Sequence, residues 1–588
     1  MSMGKKSKAK KIHHKEAEVS EANKKIKKTE EKKPRIQINK KKLFGSVLVV
    51  IMLSILVSAG YLLFQKAFRA EPIAKLLPED STVAILEINT NFEHNQIIKA
   101  FNLLKNQEDY NKEKLIGDLE KWLSVSYEND MKPWLGRQIG VAIINSKKEK
   151  GSVDELYFAE FISKPNVDKF LAKYNPSENV YTGQKTYMIT DQKGAQKFVT
   201  FINNYIFFSP TEQAIYQLLD SQKSSDKVYG SKKYREIDSG LPLNRTAFFY
   251  VNFDQVNDGF FQHFPFLSES GISSKILQPF FKTFDAEGAT LIAMDDNFAI
   301  QSFLNIDPEI VDNAQYLSFQ KKYDAQLAKY MSPDILAFWG GENLEYQLKK
   351  VIELLAGGDG STLTLFDRIL QNYTQKYFGQ EADFKEDVLP FFQNEFAIVF
   401  EKINEKNNYK LLFELESPQS DAVKLHQLAD SFATVGAIFE PKVNEYKLQD
   451  GTAAKEIVAV PEEIIKTETN YENITIYELK IGKEKGGIYY SIIDNVAVVA
   501  DSIDSVKNTI DLAKDKKPNL RASKLFFDDI EPILNSSDEV AYFNIDAVLP
   551  SIFKQKPAPK ILNIIDSLSS GRNYFNDGVM TINYLHIK

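Results

Sequence analysis

One uninterrupted apolar run constrains this chain more than any other feature. Residues Leu43 to Phe64, LFGSVLVVIMLSILVSAGYLLF, carry no charge. A helix needs about 20 such residues to cross the hydrocarbon core of a bilayer. No other segment of the 588 residues is comparable, so the sequence predicts a single transmembrane helix over 43–64. The N-terminal tail and the long C-terminal remainder must then lie on opposite sides of a membrane.

The flanking charge sets the direction. Residues 1–42 hold 16 Lys and Arg against 5 Glu, a net of +11, and Lys40, Lys41 and Lys42 abut the run. Clustered cations stay cytoplasmic, which predicts an inside N-terminus and an extracytoplasmic body. The tail, poor in large apolar residues, is expected to be disordered. With the whole chain at −7, the remainder carries −18, a balance that disfavours nucleic acid and anionic lipid as ligands of the body. The competing reading is a cleaved signal peptide ending at Val57-Ser58-Ala59, but 42 residues precede the run, and it continues through Tyr61 to Phe64. The chain has no cysteine. That removes disulfides, thiol catalysis, Cys-ligated metals and lipid attachment through an N-terminal cysteine.

Beyond the anchor, short β patterns alternate with amphipathic helical ones. Val83–Ile88 has the pattern of a strand and Asn95–Leu104 that of a helix. Strands are expected at 138–144, 155–162, 185–190, 197–203 and 205–209, with Thr211 capping a helix. The order then recurs. Ile335–Trp339 takes the place of Val83–Ile88, Phe396–Phe400 that of Ile139–Ile143, and Tyr409–Leu415 that of Leu156–Ile162. Val496–Ala500 stands for Tyr205–Ser209, and Val540–Asp546 for the strand around Tyr250. The closing strands Glu287–Ile292 and Asp577–Ile582 form a further match. The offset grows from about 254 to about 290, which places an insertion near 441–473. Several strands succeed one another without a crossover helix, so the sheets should be mainly antiparallel. The expected class is α+β: two tandem, similar domains, 71–315 and 322–588, behind the anchor.

Two segments point to a family. LPEDSTVA (Leu77–Ala84) stands just outside a single N-terminal anchor, and NVAVVADS (Asn495–Ser502) is a strand leading into a helix. Together they resemble a family of bacterial membrane-anchored proteins known only as a domain of unknown function. The resemblance implies an exported, anchored α+β body and no assigned activity.

The residues offer no catalytic, cofactor or metal site. Outside the tail, His94, His263, His426 and His586 are each more than 150 residues apart, without the local pairing that zinc needs. Asp295-Asp296-Asn297 lacks the spacing of a calcium loop and is expected to be a hairpin turn. Ser-x-x-Lys occurs at Ser224–Lys227, Ser318–Lys321 and Ser551–Lys554 without the companion motifs of penicillin-binding enzymes. Gly357–Ser361 is glycine-rich but lacks the Lys of a P-loop, and is expected to be a mobile loop between two helices. The surplus is aromatic, 41 Phe and 27 Tyr. It suits a core, or else an apolar groove between 257–264 and 273–284. Three functions stay open at this level. The first is an envelope binding or scaffold module with a protein or glycan partner. The others are a hydrolase with an unrecognised carboxylate pair, and a carrier of lipid or another apolar ligand.

Overall fold

The computed structural model describes residues 72–588 apart from 92–93, 124–125, 191–193, 264–280, 282–283, 307–322, 345, 349–359, 440–441, 459–463, 482–486, 535–536, 553–559 and 576. The expected anchor 43–64 and the tail lie outside the described residues, as do Gly357 to Asp359. Gly360 and Ser361 open a helix that runs to Phe378. No described helix is long and apolar enough to cross a membrane.

The class is α+β, built on one antiparallel sheet of 20 strands. Its N-terminal half comprises β1 (Thr82–Asn89), β2 (Leu135–Asn145), β3 (Val153–Phe161), β4 (Ser177–Tyr181), β5 (Gln184–Thr190), β6 (Gln196–Ile202), β7 (Tyr205–Ser209), β8 (Ala247–Asn252), β9 (Phe284–Ala293) and β10 (Asn297–Ile306). The C-terminal part comprises β11 (Ile335–Glu342), β12 (Glu395–Ile403), β13 (Lys406–Glu414), β14 (Lys442–Lys447), β15 (Ala453–Val458), β16 (Ile464–Tyr471), β17 (Ile474–Ile481), β18 (Gly487–Ile493), β19 (Val496–Ala500), β20 (Glu539–Asn544), β21 (Ile565–Phe575) and β22 (Gly578–Ile587). From one edge to the middle the pairings run β4-β5-β6-β7-β3-β2-β1-β8-β9-β10. From the other edge they run β16-β17-β18-β19-β13-β12-β11-β20-β21-β22. β10 and β22 pair with each other, so a single sheet passes through both stretches. Among the described strands, only β14 and β15 stand apart, as a separate hairpin.

Register corresponds as well as order. β1 slips against β2 between Thr82 and Ala84, and β11 slips against β12 between Ile335 and Ala337. By these pairings Ile85 stands where Phe338 stands, Phe158 where Leu412 stands, and Tyr250 where Tyr542 stands. Asn203 and Asp494 occupy the same turn, both with left-handed backbone (φ 52° and 56°), which Asn and Asp tolerate. Local hydrogen bonds recur too. Asn204 Nδ2 donates to Glu160 Oε1 at 2.9 Å and Asn495 Nδ2 to Glu414 Oε1 at 3.0 Å. The Ser126 amide donates to Asp130 and the Asp383 amide to Asp387, each closing a π-helical turn. One sequence match is corrected. Glu287–Ile292 lies in β9, whose place in the sheet is that of β21, whereas Asp577–Ile582 runs from the turn into β22, the counterpart of β10. An acid-Gly-apolar pattern opens both segments, but hydrogen-bonded neighbours fix a strand's place and its local pattern does not.

Helices cover one face of the sheet in the same way along its length. The Glu212–Ser221 and Lys232–Gly240 helices bury Ile85, Phe158, Phe207 and Tyr250. The Ile503–Ala513 helix and the turns over Phe526–Leu534 bury Phe338, Leu412, Val498 and Tyr542. Each such fully buried side chain contributes about 1.5–3 kcal/mol of transfer free energy. The opposite face is covered unevenly. Leu425 and Ala433 of the Pro418–Phe439 helix close over Phe396 and Phe413. Phe253, Phe260 and Phe281, from the connection between β8 and β9, close over Ala84, Ile143 and Val251. Asp295-Asp296 is the turn of the β9–β10 hairpin, as its spacing suggested. Thr211 sits at the start of its helix, but its hydroxyl donates to Asp154 instead of capping.

Candidate functional site

Two groups of buried polar side chains and one surface strip stand out among the described residues. The first group lies under the helix-covered face of the C-terminal half. Glu401 on β12 and Lys410 on β13 are 1% and 0% exposed at the side chain and sit 3.0 Å apart. The Lys410 ammonium also donates to the Tyr330 carbonyl and to Thr509 Oγ1, each at 3.0 Å, which uses all three of its protons. Ser505 Oγ donates to the other Glu401 oxygen at 2.6 Å, and Thr509 Oγ1 to the Ser505 carbonyl at 2.9 Å. Burial pushes the ammonium below its usual range, and the Glu401 charge opposes that. With every donor engaged and no exposure, this cluster resembles a nucleophile–lysine arrangement in composition only. It is a closed network.

The second group is a pair of carboxylates at the β11–β12 register, Glu342 opposite Glu395. Both are buried. Glu395 accepts from the Gln326 and Leu327 amides at 3.0 and 2.8 Å, anchoring the turn before β11. Burial, with the neighbouring Glu342 charge, outweighs those donors and pushes its carboxyl up to about 8. The corresponding register in the N-terminal half holds two amides, Asn89 opposite Gln138. There a different acid, Glu87, is pushed up to about 7, again mainly by burial, with Arg245 opposing.

The strip lies on the other face. Adjacent cross-strand partners run Tyr409, Phe400, Ala337, Phe543, Leu568, Leu585 and Phe298. Tyr409, Phe400 and Phe543 are 58%, 49% and 37% exposed. The matching positions in the N-terminal half are Glu155, Ile143, Ala84, Val251 and Glu287, where Ile143 and Val251 are each 5% exposed. The connections differ too. Between β8 and β9 run 31 residues (253–283), and between β20 and β21 only 20 (545–564). Among the described residues, Phe253, Phe260 and Phe281 of the longer connection close the N-terminal row.

Sequence reasoning singled out none of these residues. The strip was within reach, because matching Phe396–Phe400 to Ile139–Ile143 already sets Phe400 against Ile143. The buried pair had a weaker signal: Glu401 comes next after that match where Ile144 comes next after the other. The expected groove between 257–264 and 273–284 falls largely outside the described residues. Its described rings, Phe260, Phe261 and Phe281, pack on one another and into the core. His94 precedes the Asn95–Leu104 helix, His426 lies against Tyr490 and His586 beside Asp529. The described residues contain no group of three or more metal-ligating side chains.

A model of the family described as proteins of unknown function, DUF3352, matches residues 44–437. The chain belongs to this family. The match spans β1 to β13 and ends within the Pro418–Phe439 helix, before the β14–β15 hairpin. No curated protein matches the chain. Among solved structures it is similar to crystal forms I, III and IV of TP0453, at 10%, 10% and 9% identity and TM-scores of 0.21, 0.22 and 0.23. These alignments cover 40%, 42% and 42% of this chain and 79%, 87% and 86% of the other. Scores this low carry no argument about fold or role.

Proposed function

We propose that this DUF3352 protein is a single-pass membrane protein of the cell envelope whose extracytoplasmic body binds a macromolecular partner, protein or glycan. In this reading Leu43–Phe64 is a retained anchor with the basic tail inside. The body is two copies of one ten-strand unit, 71–315 and 322–588, and the hairpin within 441–473 is the added part. The uncovered aromatic strip on the second unit carries the binding proposal. Soluble proteins seldom leave a contiguous apolar patch open unless something docks on it, and a doubled unit enlarges the surface on offer. Protease added to intact spheroplasts should digest the body and spare the tail. A protected body, or a mature N-terminus at Gly60, would overturn the topology.

A second reading, an envelope hydrolase using a carboxylate pair, has one observation in its favour: Glu342 and Glu395 face each other, with Glu395 held protonated near neutral pH. The amides engaging Glu395 and the burial of both groups argue for a structural role. Cleavage of an envelope substrate by purified protein, abolished by Glu395→Gln at unchanged stability, would establish the hydrolase instead.

A further inference from the structure

We propose that the Tyr409–Phe400–Phe543 strip is the seat of an aromatic-bearing amphipathic helix from a partner protein. This rests on the binding reading above and names the partner's chemistry. The molecule itself supplies the precedent. On the N-terminal half, the same row of the sheet is closed by Phe260 and Phe281 of the chain's own 31-residue connection, part of it the Asp258–His263 helix. On the C-terminal half that connection is shorter, yet the side chains beneath are larger. Phe400 stands for Ile143, Phe543 for Val251 and Tyr409 for Glu155. Solubility alone favours the reverse, smaller or charged residues where cover is lost. Exposed Tyr and Phe in a row are what a protein interface uses as anchors.

Dimensions and charge narrow the occupant. The strip continues from β13 through β12, β11, β20 and β21 to β22, joining the closed region at the β10–β22 junction. Six neighbouring strands about 4.8 Å apart span roughly 24 Å, the length of a helix of about 16 residues. Such a helix presents anchors at three- and four-residue spacing. Its polar face should be basic, since the chain beyond the tail carries −18. The same charge disfavours an anionic lipid surface.

The test uses the full-length, membrane-bound protein with a photoreactive side chain, Tyr409→p-benzoylphenylalanine or Phe400→p-benzoylphenylalanine, and Ile143→p-benzoylphenylalanine as the buried control. Adducts formed in intact cells are digested and mapped. The expected result is one and the same protein captured from 409 and 400, through one helical segment with aromatic residues at i and i+3 or i+4, and no capture from 143. Phe543→Asp should lower the yield about tenfold or more, as loss of one anchor does. If that variant melts early, Tyr409→Ser with capture from 400 replaces it, because the Tyr409 side chain lies outside the core. Adducts to lipid, to a glycan or to a second copy of this chain would overturn the helix and leave binding standing. No adduct from either position would overturn both.

Discussion

Ile144, Leu156, Ala214 and Leu218 in the N-terminal half occupy the places that Glu401, Lys410, Ser505 and Thr509 occupy in the C-terminal half. All eight are buried. One fold position is therefore filled once by packed hydrocarbon and once by a closed ion-pair network, in the same chain. The charged set is thus not required for the architecture. Desolvating two charges costs several kcal/mol per ion, and only complete hydrogen bonding offsets it. The network answers that demand, with Lys410 engaged three times and both Glu401 oxygens occupied.

Removing one partner from the network should have the largest effect. Lys410→Met strands Glu401 in the interior and is expected to cost about 3–5 kcal/mol, measured by urea denaturation. A cost below about 1 kcal/mol would mean that water reaches the site. Transplanting the whole apolar set, Glu401→Ile with Lys410→Leu, Ser505→Ala and Thr509→Leu, should be neutral or stabilise by about 1–4 kcal/mol. Strong destabilisation by that fourfold variant would show that the two halves pack differently around these positions.

The buried carboxylates make stability depend on pH. The Glu395 carboxyl is held up to about 8 in the folded protein, against its ordinary 4.5. Between those values the folded state keeps a proton that the unfolded state has lost. Stability from this group is thus full below pH 4.5 and is lost as pH rises to about 8. The slope is at most about 1.4 kcal/mol per pH unit. Glu395→Gln should flatten the stability–pH curve in that window and leave the smaller fall due to Glu87, which titrates near 7. An unchanged curve would show that Glu395 is ionised throughout.

The smallest contrast lies at the helix starts. Ser502 Oγ accepts from the Ser505 amide and donates to Asn408, whereas Thr211 makes no capping bond. Ser502→Ala should therefore cost about 1 kcal/mol, and Thr211→Ala less. Equal losses in thermal melts would mean that the hydroxyl contacts to Asn408 and Asp154 matter more than the cap.

Local patterns made much of this architecture legible. Val83–Ile88, Asn95–Leu104, Phe396–Phe400 and Val496–Ala500 each declare their element through alternation or helical spacing. The turn at Asp295-Asp296 declares itself through polar residues between two apolar runs. The hidden part depends on distant partners. β10 and β22 lie 272 or more residues apart in sequence, and nothing in either strand encodes that the other completes its hydrogen bonds. The strip was legible only in part: the match of Phe396–Phe400 to Ile139–Ile143 sets Phe400 against Ile143, but the rings that cover Ile143 come from a connection distant in sequence. Lys410 looks like an ordinary strand lysine until Glu401, Ser505 and Thr509 converge on it.

The junction of β10 with β22 also bears on self-association. Two separate ten-strand sheets would expose four edges, each a row of unpaired amides and carbonyls open to neighbouring chains. Joined through nine paired positions, from Asn297 with His586 to Asn305 with Gly578, the 20-stranded sheet keeps two. Those two are blunted. β4 is only five residues long and sets Glu178 toward solvent, and β16 places Lys466 and Glu468 in the open. A chain rich in β-forming aromatics thereby hides its longest sticky edges inside itself, so crowding many copies together need not seed strand-to-strand aggregates.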